Sequence, residues 1–271
     1  MEAYLTAKLR LFTEVVDKDG TAIVWADDPA SEKVVAAIEG RGVRGMSVGK
    51  KGEAIRLIDR TPTQMGQALE VEADGKRFTV NLPLIGAYQA NNALVAAGLV
   101  WATGGELDTA LSNLSRVQPV RGRLERAVIT KSGAPVYVDY AHTPDALEAA
   151  IDALRWHAKG RLITVFGAGG DRDAGKRPLM GQVAAKLSDH VIVTDDNPRS
   201  EDPAEIRTAI MAGANGAIEV GGRREAIASA IAEAQSDDII LLAGKGHEQG
   251  QEIGDRILPF DDVSVARECA A

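Results

Sequence analysis

Apolar positions change their period several times over the first 117 residues and then settle into one repeat. Residues 2–16 carry a helical spacing, Thr21–Ala26 reads as a short strand, and Ser31–Ile38 returns to helical spacing. From Val43 to Leu82 short apolar runs are broken by charges and by turn dipeptides such as Asp74-Gly75, the pattern of small, partly antiparallel strands. A helix is predicted from Gln89 to Thr103, stopped at Gly104-Gly105. Pro, Gly and charge are concentrated in Gln118-Pro119-Val120-Arg121-Gly122-Arg123, which places a domain boundary there and gives units 1–117 and 118–271.

Beyond that boundary the pattern is regular. Val136–Asp139, Leu162–Phe166, His190–Thr194 and Asp238–Ala243 are short, β-branched apolar runs, and amphipathic stretches at 144–158, 177–187, 203–213 and 223–235 lie between or beside them. Pro144 and Pro203 stand where helices begin, since the first helical position has no backbone donor to lose. Alternation of this kind implies parallel crossovers and a sheet covered on both faces, so the second unit is expected to be an α/β, Rossmann-like domain.

The segments that follow the four strands carry the chemistry: Asp139-Tyr-Ala-His142-Thr-Pro, Gly167-Ala-Gly-Gly-Asp-Arg172-Asp, Asp195-Asp-Asn-Pro-Arg199 and Gly244-Lys-Gly-His-Glu248. In a parallel sheet the carboxyl ends of the strands share one edge, and ligands bind at that edge. Arg172 and Arg199 offer planar forks for a carboxylate, while Glu248 and the aspartates offer acceptors for an ammonium group. Such a rim suits a zwitterionic amino acid. Taken loop by loop, the same residues can simply pair with one another on a solvated surface; converging on one edge, they read as a site.

Composition narrows the picture. The 271 residues carry a net charge of -8, which argues against nonspecific nucleic-acid binding, although a local arginine cluster still accommodates a small anion. The single cysteine, Cys269, permits no intrachain disulfide and fits a reducing compartment. Glu2, Lys8 and Arg10 leave no apolar signal-peptide core, and the apolar stretch Ala93–Ala102 is too short to span a bilayer. A soluble, cytoplasmic protein without a membrane partner is expected.

Other signals are weak. Gly167–Gly170 is not a G-x-G-x-x-G, and a tight strand-to-helix turn accounts for it as well as a dinucleotide does. His142 and His247 lack a spaced ligand set for zinc. Lys8, near Tyr4, reads by composition as a surface lysine.

Four long segments nonetheless resemble signatures of the Mur ligase family, in order: Asp139–Asp145, Phe166–Pro178, Thr194–Arg199 and Ala243–Glu248. Upstream, Gly86–Leu94 and Val120–Glu125 resemble the end of that family's central ATPase domain and its hinge. The resemblance implies an ATP- and Mg²⁺-dependent ligase in peptidoglycan precursor synthesis. In that reaction a peptide carboxylate of a UDP-linked muramoyl dipeptide is phosphorylated, and an incoming amine displaces phosphate to form an amide. By resemblance, Lys8 matches a lysine that is carbamylated and then holds Mg²⁺. Asn92, Arg123 and Asp139 match ATP contacts, and Asp139 and His142 join Lys8 as candidate catalytic groups. Arg172, Asp196, Asn197, Pro198, Arg199, Gly244 and Glu248 match the pocket for the added amino acid. The Asp-Asn-Pro-Arg form accompanies meso-diaminopimelate in the family, and Arg199 is placed to pair with its distal carboxylate.

The sequence also departs from the family. No Gly-x-x-Gly-Lys-Thr/Ser phosphate loop is found, and Gln89 stands where asparagine is usual. The chain therefore reads as the later part of a ligase, with Met1 an internal methionine and no activity expected of it alone. Missing central strands would expose sheet edge and apolar surface in residues 1–117, so association or local disorder is expected there. Two further readings stay open: a non-catalytic amino-acid-binding module, and a related ligase that adds lysine or glutamate.

Overall fold

The computed structural model describes residues 2–63 and 66–271. The chain divides into two compact units, one ending at Gln118 and the other running from Pro119 to Ala271.

The first unit opens with helix α1 (Glu2–Arg10), continued by a single wider turn over Leu11–Val15. Strand β1 (Thr21–Trp25) pairs in parallel with β2 (Arg44–Gly49), and helix α2 (Ser31–Glu39) connects them. β2 meets β3 (Ile55–Thr63) in parallel, and β3, β4 (Gly66–Ala73) and β5 (Lys76–Leu82) form an antiparallel meander. The expected small strands are thus present in a five-stranded sheet of order β1-β2-β3-β4-β5. Helix α3 (Ala87–Ala102) buries Ala90, Leu94 and Ala97 against Val48, Leu57, Leu69 and Val71, and α4 (Leu107–Asn113) adds Leu107 and Leu111. On the opposite face, Ala22 and Val24 of β1 pack with Ile38 of α2. β1 forms an edge of this sheet, and Tyr4, Leu11, Val15, Val35, Leu99 and Val100 are exposed.

The second unit is built on a six-stranded sheet of order β10-β9-β8-β11-β7-β6. Its strands are β6 (Glu125–Ile129), β7 (Pro135–Asp139), β8 (Leu162–Phe166), β9 (His190–Val193), β10 (Ile218–Glu219) and β11 (Ile239–Ala243). β7 through β11 are parallel to their neighbours, and β6 adds an antiparallel edge. The helices are α5 (Pro144–Arg155), α6 (Lys176–Leu187), α7 (Pro203–Met211), α8 (Arg223–Glu233) and α9 (Asp262–Ala270). Ala226, Ile227 and Ala230 of α8 and Val265 and Ala266 of α9 pack on one sheet face with Val136, Val138, Val165, Ile240 and Leu242. Helices α5, α6 and α7 pack in sequence with each other, against β8 and β9. The strands are therefore buried on both sides, which is why they read as continuous apolar runs. Thr143 caps α5 and Asp202 caps α7, each just before a first-turn proline.

Elements of this unit that were not foreseen are β6, the two-residue edge strand β10, the terminal helix α9, and a two-stranded antiparallel hairpin of β12 (Gly250–Ile253) and β13 (Arg256–Pro259). Both hairpin strands are only four residues long, with Gly250 and Gly254 inside or beside them; β12 is mostly polar and β13 carries Ile257 and Leu258 side by side, so no alternating apolar signal marks them. Among the described residues no helix is long and apolar enough to cross a membrane.

Candidate functional site

The chain passes from β7 directly to β8 and leaves a position between them that β11 fills later. The loops after β9, β8, β11 and β7 therefore lie side by side along one carboxyl edge, as the sequence predicted.

The loops after β8 and β9 are fastened to each other. Gly170 N–H donates to the Asn197 carbonyl at 2.9 Å, and a Cβ at Gly170 would run into the carbonyl of Pro198. The Asp171 carboxylate accepts from the Ser200 hydroxyl at 2.6 Å and its N–H at 3.2 Å, and these bonds hold it below the usual carboxylate range. Glu201 accepts from Arg177 at 2.8 Å and from the Asp171 N–H at 2.6 Å, and is held low in the same way. Asp171 and Arg199 both adopt φ of +53°, a conformation that side chains other than glycine enter only when their surroundings demand it.

For Arg199 the demand comes from the hairpin. Its N–H donates to the Glu252 carbonyl at 3.0 Å, and its carbonyl accepts from Gly254 N–H at 2.7 Å. Its Nη1 donates to the Gly170 carbonyl at 2.9 Å, and its Nε lies 2.6 Å from the Glu252 carboxylate. The guanidinium is thus held by two contacts, and its backbone by two more, while it remains partly exposed. Arg172 sits on the same rim, exposed, with Nη1 on the Asp171 carbonyl at 3.2 Å; it and Arg199 flank Gly169.

Facing them is a buried polar cluster. Asp196, Asn197 and Pro198 are buried, and Gln251 of the hairpin donates to the Asp196 carbonyl at 2.6 Å. Asn197 Nδ2 donates to Glu248 at 2.8 Å, and its Oδ1 accepts from Glu252 N–H at 3.0 Å and from Lys245 Nζ at 3.0 Å. Gly244, at φ +112°, has no room for a Cβ beside Asp196 Oδ2. Burial pushes the Asp196 carboxyl up, opposed by the charges of Arg223 and Lys245 and reinforced by those of Glu248 and Asp262. Arg223 is itself fully buried: it pairs with Asp262 at 2.6 Å and donates to the carbonyls of Ala243 at 2.9 Å and Asp195 at 3.4 Å. This pair fastens the start of α9 beneath the loops after β9 and β11.

The other end of the rim is aromatic. Tyr140 contacts the rings of His142 and His247 at 4.6 and 5.2 Å, and the Arg123 guanidinium lies 4.9 Å from its ring centre. Asp139 is buried and accepts from Leu124 N–H at 2.8 Å, which holds the Arg123 segment against the sheet edge. Gly122 (φ +68°) packs directly on Gly246 and His247, so this crossing admits no side chain. His142 is exposed; its Nδ1 meets the Tyr140 carbonyl at 2.8 Å, and its own carbonyl accepts from Lys176 at 2.9 Å. Burial lowers the Lys176 ammonium, while Asp196 and Asp173 act in the opposite direction.

The structure therefore gathers Arg123, Asp139, His142, Arg172, Asp196, Asn197, Pro198, Arg199, Gly244 and Glu248 on one rim of the second unit. Lys8 and Asn92 belong to the first unit, and both are exposed. The Lys8 ammonium lies 5.4 Å from the Tyr4 ring centre. Among the described residues no group of three His, Cys, Asp or Glu could hold a metal ion. The pairing alternative for the rim charges is partly realised: Asp195 pairs with Arg207, Arg177 with Glu201 and Arg199 with Glu252.

Residues that reading the loops left out are Lys245, Arg223, Asp262, Gln251 and Glu252. Lys245 stands inside a quoted motif, and a lysine between glycines at a strand end could have marked it. The other four lie on elements whose place at the rim only the fold reveals.

Known proteins resemble this chain in sequence and fold. Residues 1–100 match the Mur ligase middle domain family, and residues 122–246 match the family described as Mur ligase, glutamate ligase domain. The chain is 59% identical over 272 residues to the UDP-N-acetylmuramoyl-L-alanyl-D-glutamate--2,6-diaminopimelate ligase of Zymomonas mobilis, covering 99% of this chain and 56% of that protein. It is 52% identical to the protein of the same name from Bradyrhizobium diazoefficiens, over 96% of this chain and 54% of the relative. A solved structure of a ligase of that name superposes with a TM-score of 0.66 at 33% identity, covering 99% of this chain and 56% of the other. A Thermotoga maritima MurF ligase in complex with ADP shares the fold, with a TM-score of 0.71 at 21% identity and coverage of 99% and 56%. The chain thus spans about half the length of the relatives it matches.

Proposed function

Because this chain belongs to the Mur ligase family, we infer that it forms the amino-acid-accepting part of an ATP-dependent ligase that joins meso-diaminopimelate to UDP-MurNAc-L-Ala-D-Glu. We assign residues 1–117 to the end of the central ATPase domain and 118–271 to the C-terminal domain. The observation that carries the reading is the placement of Arg199: an aimed guanidinium on one side of a rim, with Asp196, Asn197 and Glu248 on the other. The names of the relatives agree with it.

Each end of the rim has a task in such a reaction. Arg199 and Arg172 hold carboxylate, and the side bearing Asp196 and Glu248 receives an ammonium group, which orients the amino acid before its other amine attacks. The Arg123, Tyr140 and His142 corner supplies cationic and aromatic contacts suited to a nucleotide, with Asp139 holding that corner in place. ATP would supply the phosphoryl group that activates the peptide carboxylate. Asn92 and a carbamylated Lys8 would serve the nucleotide phosphates, with Lys8 holding a Mg²⁺ ion that would screen their charge. Peptidoglycan precursor synthesis, a cytoplasmic setting and small-molecule partners follow from this reading.

Lysine lacks the distal carboxylate, so the Arg199 guanidinium would face it without a partner. Calorimetry of the chain with meso-diaminopimelate, L-lysine and ATP is the test. Arg199→Ala is expected to weaken meso-diaminopimelate binding by about 100-fold, the scale of a charge-assisted pair, and to leave ATP binding as it was. Equal affinity for lysine, or no loss in Arg199→Ala, would refute the assignment.

A further inference from the structure

Lys245 is fully buried at the end of β11, and its surroundings are acidic and amide groups rather than a hydrocarbon core. Its Nζ donates to Asn197 Oδ1 at 3.0 Å and to Glu248 Oε2 at 3.4 Å, and lies 3.8 Å from Asp196 Oδ1. Asn197 Nδ2 donates to the same Glu248 oxygen at 2.8 Å, so Lys245, Asn197 and Glu248 close a triangle. The triangle is tied to the hairpin, because Asn197 Oδ1 also accepts from Glu252 N–H. The Glu248 side chain keeps 33% of its surface, so the far side of the cluster opens to solvent.

A buried ammonium is a poor device for stability. Removing it from water costs more than an apolar residue of similar volume would, unless every donor is answered. Here the answering groups are the same three that the amino-acid reading assigns to the ligand. Two carboxylates this close repel one another unless a cation stands between them. The other charges facing the cluster are Arg223 of α8, paired with Asp262 of α9, and Lys176 of α6. Arg223 is largely committed to Asp262, which leaves Lys245 as the cation in direct contact with both Asn197 and Glu248.

We propose that Lys245 is the positioning residue of the pocket, a buried ammonium that locks Asn197 and Glu248 together and keeps Asp196 and Glu248 available as a paired carboxylate receptor for the ammonium end of an amino acid. The proposal rests on the amino-acid reading given above for what the receptor binds. Lys245 touches no reacting atom; it acts through the three groups it holds.

Carboxyl-carbon NMR titration of the labelled chain tests it, with wild type, Lys245→Gln and Lys245→Arg compared. Lys245→Gln keeps a donor, one bond shorter in reach, but loses the charge, and the Asp196 midpoint is expected to rise by about one pH unit or more, a tenfold change in proton affinity. Calorimetry should show meso-diaminopimelate binding weakened about tenfold near pH 7 and partly regained at higher pH as the orphaned carboxyls ionise. Lys245→Arg should keep the Asp196 midpoint near that of wild type. An unmoved midpoint in folded Lys245→Gln, or the same rise in Lys245→Arg, overturns the proposal. Should Lys245→Gln be unfolded near pH 8, it is expected to fold as the pH falls toward about 5, where the orphaned carboxylates take up protons; a variant unfolded throughout that range marks a packing role instead. Failure of the wild-type chain to bind meso-diaminopimelate would strike the amino-acid reading, while the carboxyl titration would still decide the role of Lys245.

Discussion

Arg199 Nε stands 2.6 Å from the carboxylate of Glu252, a residue 53 positions later on the β12–β13 hairpin, and the two main chains are joined by a hydrogen bond as well. The hairpin therefore both aims the guanidinium and sets an anion beside it. The Glu252 side chain is 42% exposed, so the pair is screened and its electrostatic weight is modest. Arg199 retains its backbone bonds and its bond to the Gly170 carbonyl when the charge on Glu252 is removed. Glu252→Gln is accordingly expected to strengthen meso-diaminopimelate binding by about two- to fivefold at low salt, with the difference fading as salt rises. Calorimetry at two ionic strengths checks this, and weaker binding would show instead that the carboxylate is needed to orient the guanidinium.

The Arg223–Asp262 pair is fully buried and has no such screening. Removing one partner leaves the other uncompensated, at a cost of about 3–5 kcal/mol, whereas replacing both by apolar residues restores much of it. Urea denaturation of Arg223→Met, Asp262→Leu and the double variant is expected to show the double variant more stable than either single one. Additive losses would mean that the bonds from Arg223 to the Ala243 and Asp195 carbonyls matter more than the pair.

Asp238, just before β11, should contribute to acid sensitivity. Burial opposes its ionisation, but Arg161 donates from Nη2 at 2.7 Å, Nε at 3.1 Å and its backbone at 2.7 Å, and Gln235 N–H adds a bond at 2.9 Å. Together these hold the carboxyl below its ordinary value. A depressed carboxyl contributes stability that is fully present above the unfolded-state value and is lost as pH falls through the folded-state value. Asp238→Asn should thus be less stable than wild type near neutral pH, and the gap should close in acid. Denaturation midpoints from about pH 7 to about pH 3 measure it; a constant gap would assign the loss to packing.

Much of the second unit was legible along the chain because a parallel sheet covered on both faces writes itself as apolar runs followed by polar loops. Val136–Asp139, Leu162–Phe166 and Ile239–Ala243 show this directly. In the first unit β1 stands at an edge of the sheet, with its residues buried or half-buried, and Leu99 and Val100 are exposed. Association through that surface remains a proposal, checked by the solution mass of the chain. What escaped was short: the four-residue strands of the β12–β13 hairpin carry no alternation, and β6, β10 and α9 left no pattern strong enough to mark them.

By itself the sequence determined that Arg172, Asp196, Arg199, Gly244 and Glu248 share one edge, because strand order does not change which end of a parallel strand its loop leaves. It could not determine what each side chain faces there. That was decided by β11 entering between β8 and β7, which sets Lys245 against Asn197, and by the hairpin folding back on Arg199. These contacts join residues tens of positions apart, and their geometry depends on register and on a φ of +53° that no local preference would choose. Residue types fixed the chemistry available at the rim; packing at a distance decided which groups are aimed at a ligand and which are spent on one another.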